Sequence, residues 1–158
     1  MIRAARASDA EAIRELWNEM IRDTVFTFTT VEKTTAGVSA MIAERQGASF
    51  VAETGGRFAG FVSFGPFRSG PGYAHTVEHT VLLHSGSRGG GVGRALMARA
   101  EAAALALGHH VMVAAISASN PGAVAFHGRL GFIEVARMPE VGRKNGQWLD
   151  LVLMQKTL

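Results

Sequence analysis

Residues 88 to 94 read Arg-Gly-Gly-Gly-Val-Gly-Arg, with a strand pattern ahead of them and a helical pattern directly behind. Glycines crowded this closely oppose regular structure and permit backbone angles other residues resist, so the chain must turn here. The strand pattern runs from Tyr73 to about Leu83. The helix runs from about Val92 to Leu107, with Leu96, Met97, Ala100, Ala104 and Leu107 as its buried stripe and Gly108 as its stop. His110 to Ile116 follows as a near-continuous apolar run, as expected of a strand buried on both faces. The centre of the chain is therefore strand, loop, helix, strand. A glycine turn feeding a helix N-terminus gathers unpaired N–H groups at the positive end of a dipole, which makes a socket for a phosphate or pyrophosphate.

The flanks complete a mixed layered fold. Residues 2 to 5 form a short strand, and Ser8-Asp9-Ala10-Glu11 has the form of a capping box. Ile13, Leu16, Trp17, Met20 and Ile21 then share one helical face. Residues 23 to 32 read as a loop or short extended segment, and a second helix spans about Thr35 to Arg45. Residues 49 to 54 and 57 to 64 make two strands around the Gly55-Gly56 turn. Pro66 to Gly72 is a loop. Asn120-Pro121 starts a helix that ends at Gly131, and strands follow over 132 to 138 and 147 to 155. The order is βααβββαβαββ, an α/β fold whose middle strands are antiparallel.

A chain of 158 residues fits one domain, residues 1–158, with one proper core. Hydrophobic residues at 47% and charged residues at 18% describe a globular chain. The absence of cysteine excludes disulfides, thiol nucleophiles and Cys-based zinc sites. No apolar run spans a bilayer and no signal-peptide pattern opens the chain, so a cytoplasmic protein without a membrane partner is expected. A net charge of +3, without a basic stripe interleaved with aromatics, suits a small anionic ligand better than nucleic acid.

The loop lacks the Lys-Ser/Thr of a Walker motif and the third glycine of a dinucleotide fingerprint. It does resemble the Arg/Gln-x-x-Gly-x-Gly/Ala acetyl-CoA loop of the GNAT N-acetyltransferase superfamily, here Arg88-Gly89-Gly90-Gly91-Val92-Gly93. Asn120 and Leu130-Gly131-Phe132 agree with that family. Longer stretches, Thr76-Val77-Glu78-His79-Thr80-Val81, His110-Val111-Met112-Val113-Ala114, Val141-Gly142-Arg143 and Trp148-Leu149-Asp150, look like its phosphinothricin/methionine sulfone acetyltransferase branch. The similarity covers about residues 2 to 156. It implies a GNAT-like, mostly antiparallel sheet flanked by helices, acetyl-CoA as co-substrate, no metal, an amino-acid analogue as acceptor, and a homodimer. A different amine acceptor (a protein N-terminus, a polyamine, an antibiotic) and a non-catalytic CoA-binding module are the competing readings.

Acetyl transfer to an amine needs a base for the amine, a donor for the thioester oxygen and a proton for the leaving thiolate. Glu78 interrupts an apolar strand, where burial would raise its pKa and make it a better base, the role the branch implies. His79 should face the opposite side of the strand, either lining the pocket or serving as a hydrogen-bonded structural histidine. The resemblance gives Val81, Leu82 and Leu83 a backbone edge for the pantetheine arm, and His127 the position of the thiolate's acid. His127 also reads as a hydrogen-bonded ring on a helix face. Asn120 is a helix cap with an added cofactor contact. Arg68 suits a substrate carboxylate, or is a solvated loop charge. Phe28 and Tyr73 could wall the pocket. Gly90 stands where the superfamily often has Lys or Arg, so backbone amides with Arg88 or Arg94 should do the gripping.

Overall fold

A computed structural model describes residues 1–158. It forms one seven-stranded sheet: β1 (Ile2–Ala4), β2 (Ser49–Thr54), β3 (Arg57–Pro66), β4 (Thr76–Leu83), β5 (Val111–Ser117), β6 (Ile133–Lys144) and β7 (Gln147–Thr157). The helices are α1 (Ala10–Asp23), α2 (Thr35–Glu44), α3 (Val92–Ala106) and α4 (Pro121–Arg129). In chain order this is βααβββαβαββ, as the sequence predicts. The strands lie in the order β1-β2-β3-β4-β5-β7-β6, and every pairing is antiparallel except β4–β5.

Local sequence explains most boundaries. Gly55 and Gly56 carry φ of 58° and 75°, the left-handed pair of a tight hairpin between β2 and β3. Asn145 and Gly146, at 52° and 75°, do the same between β6 and β7, so both strands run longer than their hydrophobic patterns indicate. Asn120 caps α4, its side-chain oxygen accepting from the Ala123 N–H at 3.2 Å. The capping box expected at Ser8 and Glu11 does not form. A 3-10 turn over Ala7–Asp9 comes first, and α1 starts at Ala10. Asp9 instead accepts the Arg6 N–H at 2.7 Å and pairs with Arg3, while Glu11 is taken by Arg14 and Thr35.

Two cores follow from strand alternation. On one face Phe64, Val77 and Met112 meet Leu96, Met97 and Ala100 of α3. On the other, Val51 and Phe61 meet Ile13 and Leu16 of α1 and Val38 of α2. Between them the sheet opens. The β4–β5 pairing holds only for Thr76–Val111, Val77–Met112 and Glu78–Val113. Beyond it β4 continues on β3 to Leu83, and β5 continues on β7 to Ser117, so the two strands diverge into a wedge.

Candidate active site

The wedge carries the chemistry. A hollow of about 310 Å³ runs through it, lined by His79, Val81 and Leu82 of β4, Ile116 and Ser117 of β5, and Asn120, Ala123 and His127 of α4. Trp17 and Met20 of α1 and Phe26, Thr27 and Phe28 of the following segment close its other side. From His79 to Leu83 the β4 backbone is paired to β3 alone, so its second edge faces the wedge with free N–H and C=O groups. That edge is the feature an extended ligand arm needs if it is to bind as an added strand.

The glycine loop stands at the N-terminus of α3. Gly89 and Gly91 have φ of 82° and 79°. A Cβ at either would meet nothing within 4 Å, so conformation and not space demands glycine there. Gly93 differs. A Cβ on it would lie 3.1 Å from Leu83 and 3.2 Å from Phe126, so glycine lets α3 press against β4 and α4. The first backbone bond of α3 runs from Ala95 N–H to the Gly91 carbonyl, leaving the Val92, Gly93 and Arg94 amides without intrahelical acceptors. Arg88 ends the preceding 3-10 turn, and Gly90 is open to solvent. Such free amides at a helix N-terminus, with Arg88 and Arg94 at either end of the loop, are groups able to bind an anion.

Glu78 and His79 do face opposite sides of the sheet. His79 points toward α4, where its Nε2 lies 2.9 Å from Nε2 of His127. The protons of this buried pair can be assigned. His127 Nδ1 must donate to the Ala123 carbonyl, 2.8 Å away, because a carbonyl only accepts. In the neutral ring its Nε2 is then bare and accepts the Nε2–H of His79. His79 Nδ1 is left as a buried acceptor without a partner. Burial, and secondarily His127, push the His79 pKa down to about 3. The Val113 backbone opposes this by favouring the charged ring. Burial also lowers His127, against the opposing pull of the Ala123 carbonyl and of Glu101. Both rings are therefore neutral at rest.

Glu78 stands on the α1/α2 side, opposite Gly65 of β3. Burial raises its pKa, and the positive charge of Arg45 partly offsets the rise. Sequence reasoning missed Arg45. Its guanidinium lies over Gly65, where a Cβ would fall 2.7 Å from Nε, and it donates to the Ser63 hydroxyl at 3.2 Å. The missing side chain at Gly65 is thus what admits a cation next to the carboxylate. The signal was a lone glycine opposite a lone acid in a strand pair, which needs the register to be seen.

Arg68 and Tyr73 are not brought into the wedge. They line a second hollow of about 510 Å³, with Arg45, Gly65, Thr76 and Val77, that shares no residue with the first. Arg68 stacks over Phe67, with 5.5 Å from its guanidinium carbon to the ring centre. Glu78 lines neither hollow, but its neighbour Val77 lines one and its neighbour His79 the other. Phe28 does reach the wedge, as expected.

Residues 11–132 match the model of the Acetyltransferase (GNAT) family. The chain belongs to the GNAT acetyltransferases. It is 39% identical to the L-amino acid N-acyltransferase MnaT of Escherichia coli K12, over 99% of this chain and 93% of that one. It is also 39% identical to the L-methionine sulfoximine/L-methionine sulfone acetyltransferase of Salmonella typhimurium, over 99% and 94%. Among solved structures, the YncA acetyltransferase of Salmonella typhimurium with its cofactor acetyl-CoA superposes with a TM-score of 0.95 at 39% identity, covering 100% of this chain and 93% of that one. No group of three or more His, Asp or Glu side chains is placed to hold a metal.

Proposed function

We propose that this GNAT enzyme transfers an acetyl group from acetyl-CoA to the α-amine of a small amino-acid analogue of the methionine sulfone, methionine sulfoximine or phosphinothricin type. The observation that carries the reading is the wedge itself: a strand edge left free where β4 and β5 part, lined by the buried His79–His127 pair, with the glycine turn of α3 packed beside Leu83. The substrate class rests on similarity to the methionine sulfoximine/sulfone enzyme and, at 29% identity over 99% of this chain, to the phosphinothricin N-acetyltransferase of Streptomyces coelicolor.

Acetyl-CoA supplies the activated thioester. The amides of Val92, Gly93 and Arg94 and the side chains of Arg88 and Arg94 hold its pyrophosphate, and Asn120 lies beside its path. The Val81–Leu83 edge orients the pantetheine arm, and an N–H there polarises the thioester carbonyl. Glu78, which lines neither hollow itself, takes the proton of the incoming amine through intervening water, and its raised pKa matches that task. His127 returns a proton to the leaving thiolate. Its two ring nitrogens are engaged at rest, Nδ1 on the Ala123 carbonyl and Nε2 on His79, so His127 must take up a proton from solvent and release the His79 contact before it donates. Phe28 walls the acceptor side of the wedge, whereas Arg68 and Tyr73, in the separate second hollow, are left without a role in holding the acceptor. The working enzyme is a cytoplasmic homodimer, consistent with the exposed apolar residues of edge strand β6.

The test mixes purified protein with acetyl-CoA and each of methionine sulfone, methionine sulfoximine and phosphinothricin, and follows free thiol. Turnover with at least one is expected. Turnover only with polyamines or peptides would move the acceptor to another class, and tight acetyl-CoA binding without turnover on any amine would leave a CoA-binding module.

A further inference from the structure

Lys144 is a buried cation that the mechanism above does not use. It lies at the end of β6, 4% exposed, with no carboxylate at its ammonium. Its Nζ donates instead to the carbonyls of Ile21 (2.7 Å), Thr24 (2.9 Å) and Thr27 (2.9 Å), with the Thr27 hydroxyl at 3.1 Å. The first two carbonyls belong to the C-terminus of α1, where a positive charge meets the negative end of the helix dipole. Thr27 belongs to the segment that walls the wedge. Two residues earlier on the same strand, Gly142 is covered by the ring of Phe28, and a Cβ there would fall 2.3 Å from Phe28 Cδ2. Positions 142 and 144 share a face of β6.

The segment after α1 has no regular structure, so its shape must come from outside. Its far end is pinned by the buried Asn18, whose side chain accepts the Lys33 N–H at 2.7 Å and donates to the Lys33 carbonyl at 3.0 Å. Its near end is held locally by the Thr24 hydroxyl, which donates to the Met20 carbonyl at 2.7 Å and accepts the Phe26 N–H at 3.1 Å, and from across the fold by Lys144 and Gly142. We propose that Lys144 and Gly142 form a platform on the β6–β7 hairpin that positions the Phe26–Phe28 wall of the wedge and thereby sets affinity and preference for the acyl acceptor. This rests on the reading of that wall as the acceptor side. The ammonium suits the task because three N–H donors meet three carbonyls that diverge in space, which a planar guanidinium matches poorly. Gly142 suits it because any side chain would lift the Phe28 ring from the strand.

The experiment compares Lys144→Met, Lys144→Arg and Gly142→Ala with the unaltered enzyme, in steady-state kinetics with each substrate varied and by hydrogen exchange on residues 24–34. Lys144→Met is expected to lower kcat/KM for the acceptor by roughly ten- to a hundred-fold, as misplacement of a binding wall does. The KM for acetyl-CoA should stay within about two-fold, and Lys144→Arg should not restore the acceptor. Amides of residues 24–31 should exchange faster while those of α3 do not. Gly142→Ala keeps the charge and should change the ratio of kcat/KM between a short and a long acceptor side chain. An unchanged acceptor KM in a folded Lys144→Met, or parallel loss of acetyl-CoA affinity, overturns the platform. If Lys144→Met does not fold, an unaltered acceptor ratio in Gly142→Ala overturns it. Failure of the unaltered enzyme to turn over any amine would strike the functional reading instead. The exchange pattern would then decide the platform by itself.

Discussion

Glu78 sits under two opposed influences, burial that favours its neutral form and Arg45 that favours its charge, and burial prevails. A folded-state pKa above the unfolded value means stability that is present at low pH and is lost as pH rises through the folded pKa. At neutral pH the ionised carboxylate, the form the proposed base role needs, therefore weakens the fold. Glu78→Gln should lower kcat by about 10² to 10⁴ and yet raise the melting temperature at pH 7, with little change near pH 3. Activity of the unaltered enzyme should climb with pH through an inflection above the ordinary carboxylate range. Loss of activity without a gain in stability would point to a structural glutamate. Glu78 as a half-buried carboxylate of raised pKa was legible in the sequence because a lone acid in an apolar strand stands out. Arg45 was not legible, because only the β3–β4 register puts Gly65 opposite Glu78 and leaves room for a cation.

The glycine loop and α3 work as one element, and their glycines do different work. Gly91 holds a left-handed backbone at the N-cap, and Gly93 allows close packing on Leu83 and Phe126. Gly91→Val should cost about 1–2 kcal/mol of backbone strain at the socket. Gly93→Val should shift α3 away from β4, since the neighbouring atoms at 3.1 and 3.2 Å must give way. Both should weaken acetyl-CoA binding, measured by calorimetry, more than Arg94→Ala, because amide direction is lost and not one exposed charge. A larger effect from Arg94→Ala would mean that side-chain charge holds the phosphates. The loop, its flanking strand and its helix were readable because glycine crowding and helical periodicity are local signals. The 3-10 turn that displaced the Ser8 cap was not, because Arg3 and Glu53, far apart in sequence, recruit that corner.

At the scale of the whole molecule the edge strand β6 exposes Ile133, Val135, Met138 and Val141, with Trp148 exposed beside it on β7. An exposed apolar edge calls for cover, which a second copy of the chain would supply in the proposed homodimer. Light scattering should give twice the chain mass of 16.8 kDa, and Met138→Glu with Val141→Glu should shift the protein toward monomer. A monomer at micromolar concentration in the unaltered protein would contradict this. The sequence by itself determined the order of strands and helices, the glycine turn and the lone acid, because periodicity, turn chemistry and burial preference act over a few residues. Only the tertiary structure decided that β4 and β5 part after Glu78 and Val113, that His79 and His127 meet in one buried hydrogen bond, and that Lys144 reaches back to the end of α1. Each of these depends on groups dozens of residues apart whose meeting is set by sheet register and strand divergence, and no local pattern encodes it.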